Sequence, residues 1–147
     1  MALNAEIRSL LIQESVGLLS KEELIVKVDE RLNYISTPPS WLLDLSFGEY
    51  PHYESDLDII NFPIQYDELL ALIPDITQCF KTAQLTFDLL IQSAYLILDL
   101  LSEDTALYEL LSWLTDEAEF YYTGMMKKQD VIEKISEALT EFIDANN

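Results

Sequence analysis

The chain has 147 residues, half of them hydrophobic, with 27 acidic against eight basic residues and a formal net charge of −19. That apolar content excludes a disordered acidic tail, and the length is enough for one domain to bury a core without disulfide staples. The acidity excludes direct binding to nucleic acid or to an anionic membrane surface, and it attracts and steers a basic protein partner. Equally, it keeps an apolar-rich chain in solution, and charge alone does not separate the two roles.

Taken in order, Leu3, Ile7, Leu10, Leu11, Val16 and Leu18 recur at near-helical spacing, so a first amphipathic helix is predicted from about Leu3 to Leu19, weakened at its end by Gly17. This N-terminal stretch has no basic region followed by an unbroken apolar block, so no signal peptide is expected. Ser20-Lys21-Glu22-Glu23 has the form of a capping box and opens a second helix to about Tyr34. Leu24, Ile25, Val28 and Leu32 face inward on it, with Lys27, Asp29, Glu30 and Arg31 outward. Thr37-Pro38-Pro39 stops it, because the residue before a proline is pushed out of the helical region. Ser40 is a candidate cap for a short helical turn, Trp41 to Leu45.

Phe47 to Pro63 is the least regular stretch, an expected surface loop with one helical turn near Leu57 to Ile60. A third helix is predicted from Gln65 or Tyr66, where Asp67 and Glu68 suit the positive end of its dipole. Pro74 either kinks it or starts a new helix. Gln84 to Leu101, QLTFDLLIQSAYLILDLL, is the longest densely apolar run. Asp88 and Asp99 inside it make a bilayer span costly. With Gln84 and Gln92 they fall on one narrow stripe of a helix. Apolar residues wrap the rest of the girth, which predicts a central helix that the others pack around.

Ser102 is a candidate cap for the next helix, whose inner stripe is Ala106, Leu107, Leu110, Leu111, Leu114 and Ala118, closed by Thr123-Gly124. Asp130 caps a last helix with Val131, Ile132, Ile135, Leu139, Phe142 and Ile143 inward. No strand pattern and no repeat of 20–50 residues is visible. The expectation is all-α: one domain over residues 1–147, a bundle of five to seven helices around the 84–101 helix.

Catalytic patterns are missing. A metal pair in a helical bundle uses Glu-x-x-His motifs, and the one histidine, His52, lies in the irregular loop. Asp88 and Asp99 would stand about 16 Å apart along a helix, too far to share an ion. Cys79, the lone cysteine, lies in a helical pattern that predicts a buried, inert thiol. With no second cysteine to bridge and no signal peptide, the expected location is reducing and cytoplasmic. Three scattered glycines make no phosphate-binding loop. No cofactor, no metal and no enzymatic activity are expected; an enzyme built on buried carboxylates is the remote alternative.

What remains is surface rich in acid and tyrosine. Between Leu32 and Met126 there are 16 acidic residues and one base, Lys81. Two segments stand out as candidate partner-binding surfaces. FGEYPHYESDLD, Phe47 to Asp58, offers Glu49, Tyr50, Tyr53, Glu54, Asp56 and Asp58. DEAEFYY, Asp116 to Tyr122, offers Asp116, Glu117, Glu119, Tyr121 and Tyr122. Tyrosine gives rigid contact area with a polar tip, and carboxylates beside it pair with Arg and Lys. The same tyrosines can instead close the ends of the core with their hydroxyls in water.

At Leu18 to Ser46, LLSKEELIVKVDERLNYISTPPSWLLDLS joins Leu-Leu, a capping box, Pro-Pro-x-Trp-Leu and a Leu-x-Leu-Ser turn. This stretch, about a fifth of the chain, resembles small bacterial helical proteins found among the immunity proteins of polymorphic or contact-dependent toxin systems. Its marks are structural, and no catalytic residue comes with it. The resemblance implies a cytoplasmic, non-catalytic protein that neutralises a cognate basic toxin domain, such as a nuclease. A cytoplasmic chaperone or adaptor for a secreted effector is the alternative for a small acidic chain of this kind.

Overall fold

A computed structural model describes residues 2–49 and 64–146. Among these residues the protein is all-helical, with seven helices and no strand. Backbone proximity divides the chain into two compact units, Met1–Pro63 and Ile64–Asn147. The division falls at the end of the irregular stretch, where the sequence analysis drew no boundary. The predicted helical turn at Leu57 to Ile60 lies outside the described residues.

The first unit holds α1 (Ala2–Ser15), α2 (Lys21–Leu32) and α3 (Ser40–Ser46). Helix α2 packs against both of the others. Its start is set by the predicted capping box. The Ser20 hydroxyl accepts from the Glu23 amide, and the Glu23 carboxylate accepts from the Ser20 amide, each at 3.1 Å. Ile7, Leu24, Val28, Trp41, Leu42 and Leu45 form the core. The helix predicted to Leu19 ends at Ser15, and its predicted stripe misses Ile12 and Leu19, both buried. Pro39, not Ser40, stands at the N-cap of α3, and no side chain caps it.

The second unit is a ring of four helices: α4 (Tyr66–Lys81), α5 (Phe87–Leu98), α6 (Ala106–Tyr122) and α7 (Lys128–Ala145). Helices α4 and α6 each pack against both α5 and α7. Pro74 lies within one continuous α4, so no new helix starts there. Its ring faces solvent, where the carbonyl one turn back can bond to water. The Tyr66 hydroxyl, at the start of α4, accepts from the Leu107 amide at 3.3 Å, satisfying one open donor of α6.

Helix α5 differs from its prediction. It has 12 residues, about 18 Å, not the 18 residues of the apolar run. Thr86 starts the helix late as N-cap, its hydroxyl accepting from the Leu89 amide, and Asp99 ends it as C-cap. Phe87, Leu90, Ile91, Ala94 and Ile97 are buried, and the polar stripe of Gln84, Asp88, Gln92 and Asp99 is exposed as expected. Leu89 and Tyr95 are exposed as well, so burial covers about half of the helix and not most of its girth. Two further caps move. Thr105, not Ser102, caps α6 through the Tyr108 amide, and Lys127 holds the N-cap position of α7, leaving Asp130 in its first turn. Cys79 is half-buried, where full burial was predicted.

Gly124 closes α6 at φ +79° in a Schellman turn, with the Gly124 amide on the Tyr121 carbonyl and the Met125 amide on the Phe120 carbonyl. The exit of α4 uses the same left-handed position but places Ala83 there, at φ +61°.

Candidate functional site

Helix α6 carries two different faces. Leu107, Leu111, Leu114 and Ala118 are buried toward α5 and α7. Opposite them, Glu109, Trp113, Asp116 and Phe120 follow at steps of four, three and four, which align them in one outer stripe. On this stripe Phe120 is exposed and Trp113 is half-buried.

Beside this stripe lies a shallow, open groove of about 490 Å³, lined by Glu103, Tyr108, Glu109, Ser112, Trp113 and Asp116. Glu103 comes from the loop before α6, and Thr105 holds that loop against the helix by capping it and by donating to the Ser102 carbonyl at 2.9 Å. Glu103, Glu109 and Asp116 are exposed, and none joins an ion pair among the described residues. From Thr82 to Met126 the chain has no Lys or Arg at all. The groove between α1 and α2, about 370 Å³, is different. There Lys27 and Arg31 offset Glu6 and Glu30, and the Arg31 Nε to Glu6 distance is 2.7 Å. Unbalanced negative charge therefore belongs to the α6 groove.

At the C-terminal end of α6 the chain builds an aromatic cluster. Tyr121 meets the buried Phe87 edge-on at 5.6 Å, and Tyr122 lies 6.0 Å from Phe87 and 5.2 Å from Tyr121. Lys128 Nζ stands over Phe87 and Tyr121, 5.9 and 5.8 Å from the ring centres. The Tyr122 hydroxyl donates to Asp88 Oδ1 at 2.5 Å. Its phenol is pushed up to about 12, first by partial desolvation and then by the bond to the Asp88 carboxylate and its charge. Tyr121 and Tyr122 thus pack together at the end of α6, with Tyr122 still 51% exposed.

Of the other expected surface residues, Asp116 and Glu119 are exposed. Glu117 is not a surface acid. Its side chain is 10% exposed, turned toward α7, and accepts from Lys134 Nζ at 3.4 Å. The reason is register, since Glu117 follows the buried Leu114 by three residues and so borders the inner face. Glu49 is exposed, its amide bonded to the Asp44 carbonyl at 2.9 Å. Tyr50, Tyr53, Glu54, Asp56 and Asp58 lie outside the described residues, as does His52. Glu103, Tyr108, Glu109, Ser112 and Trp113 were not singled out from sequence. One signal could have found them: Trp113 lies off the inner stripe and between two acids at helical spacing.

Among the described residues no group of three or more His, Cys, Asp or Glu could hold a metal ion, and no helix is long and apolar enough to cross a membrane. The groove's chemistry is that of exposed carboxylates beside aromatic rings, able to pair with guanidinium and ammonium groups. Searches against protein-family models, curated proteins and solved structures find no match to the chain.

Proposed function

We propose that this chain is a non-catalytic binding protein that holds a basic protein partner against the outer face of α6, and that the partner is a toxin domain which it neutralises. The observation that carries the reading is the α6 groove, where three carboxylates with no ion pair among the described residues share the lining with Trp113 and Tyr108, in a 45-residue stretch that has no Lys or Arg. Each exposed ion pair formed there is worth only about 0–1 kcal/mol, so affinity would come from several pairs together with burial of the aromatic rings. The unbalanced field acts mainly on encounter, raising the association rate at low salt. The likeness of Leu18 to Ser46 to immunity proteins supports a toxin as the partner. Inhibition follows by covering a cationic site sterically and electrostatically, in the cytoplasm of the producing cell, with no chemical step.

The test is to express the C-terminal domain encoded by the neighbouring reading frame, with and without this chain. Rescue of growth and co-purification of the two proteins are expected. Unchanged toxicity, or no stable complex, would overturn the reading.

A further inference from the structure

We infer that the α6 groove is selective for arginine over lysine, with Trp113 as the residue that makes the distinction. This rests on the basic-partner reading above and specifies the group that the groove takes. Glu109 precedes Trp113 by four residues and Asp116 follows it by three, rises of about 6 and 4.5 Å along the helix axis. Along the helix the Trp113 position is therefore bracketed by an acidic residue on either side, and all three line one groove. Tyr108 and Ser112 add hydroxyl oxygens that accept N–H bonds, and Glu103 adds a third carboxylate.

A guanidinium suits this arrangement. Its flat face stacks on an indole while its edge N–H groups reach carboxylates lying beside the ring. An ammonium is compact and strongly hydrated. In an open groove it keeps its water and gains only the screened charge attraction, which both cations share. The stacking component is left to the arginine. Elsewhere in this unit a cation–ring contact is already filled from within, by Lys128 over Phe87 and Tyr121. No basic side chain among the described residues stands over Trp113. The half-buried Trp113 ring lines the groove beside acids that join no ion pair among the described residues, which leaves room there for a cation from a partner.

The experiment titrates the full chain with hexa-arginine and with hexa-lysine, equal in charge, at about 50 mM salt, where screening is modest. The indole N–H resonances of Trp41 and Trp113 report binding, assigned with Trp113→Leu. Trp41 is buried in the core of the first unit and serves as the reference resonance. Expected is a shift of the Trp113 resonance, with hexa-arginine bound about two- to fivefold tighter per engaged side chain, the range of an exposed cation–π contact. Trp113→Leu, at a half-buried position and with its helical fold checked by circular dichroism, should bring hexa-arginine down to the affinity of hexa-lysine. Glu109→Gln with Asp116→Asn should weaken both peptides. Equal affinities, or a preference that survives Trp113→Leu, would overturn the arginine inference alone. Binding of neither peptide would overturn the basic-partner reading with it.

Discussion

Tyr122→Phe tests how the two helices that border the acid-rich stretch are fastened. The hydroxyl of Tyr122, in the last turn of α6, donates to Asp88 in the first turn of α5 at 2.5 Å. Removing it leaves the ring contacts with Phe87 and Tyr121 in place, so the variant isolates the bond. A hydrogen bond to a charged group contributes about 1.5–3 kcal/mol. Tyr122 is 51% exposed, so Asp88 regains water in the variant, and solvent screening brings the expected loss down to about 1 kcal/mol. The pH dependence has a definite sign. The folded phenol is held at about 12, against about 10 in an unfolded chain, so the native state binds the proton more tightly. The stabilisation is therefore complete below about pH 10 and is lost as pH rises through about 12. Urea unfolding at neutral pH should show the lower midpoint in Tyr122→Phe with unchanged slope. A series from about pH 9 to 12 should show the wild type losing its advantage over the variant across that window. A variant with the wild-type midpoint, and a difference between the two that does not change with pH, would refute the reasoning.

Ala83→Gly should raise stability by about 1 kcal/mol, because Ala83 occupies a left-handed position at φ +61° where a Cβ is strained, and the urea midpoint measures it. Leu114→Ala removes a side chain with 0% exposure from the inner face of α6 and should cost about 3 kcal/mol, read from thermal or urea unfolding. Ser20→Ala breaks the capping box of α2 and should cost about 1 kcal/mol. Because that box lies in the first unit, amide exchange should quicken in α2 and leave α4 to α7 unchanged if the two units open separately.

The helices were legible because their signals are local. Ser20 with Glu23, and Thr123-Gly124, act within a few residues of themselves and need no tertiary partner. The start of α5 was misread because Leu85 and Thr86 continue the apolar run in composition while Thr86 breaks it in hydrogen bonding. The exposure of Leu89 and Tyr95 could not be seen either, since apolar residues round a helix say what it could bury and not how many neighbours it will have. At the surface, the tyrosine-rich segment drew notice away from Trp113, although its position off the inner stripe was readable. Glu117 looked like its acidic neighbours Asp116 and Glu119. Its register beside Leu114 was readable, but its partner Lys134 on α7 was not. The link from Tyr122 to Asp88 spans 34 residues and depends on two helices being neighbours.

The central claim is that the groove on α6 receives a basic partner. Its most direct test is the association rate with the domain encoded by the neighbouring reading frame, followed over about 0.02–0.5 M salt for the wild type and for Glu103→Lys/Glu109→Lys/Asp116→Lys. The wild-type rate should fall steeply as salt rises, and the triple variant should associate at least about tenfold more slowly at low salt, with a flat salt dependence. A wild-type rate indifferent to salt, or a triple variant that associates as fast as the wild type, would contradict the claim.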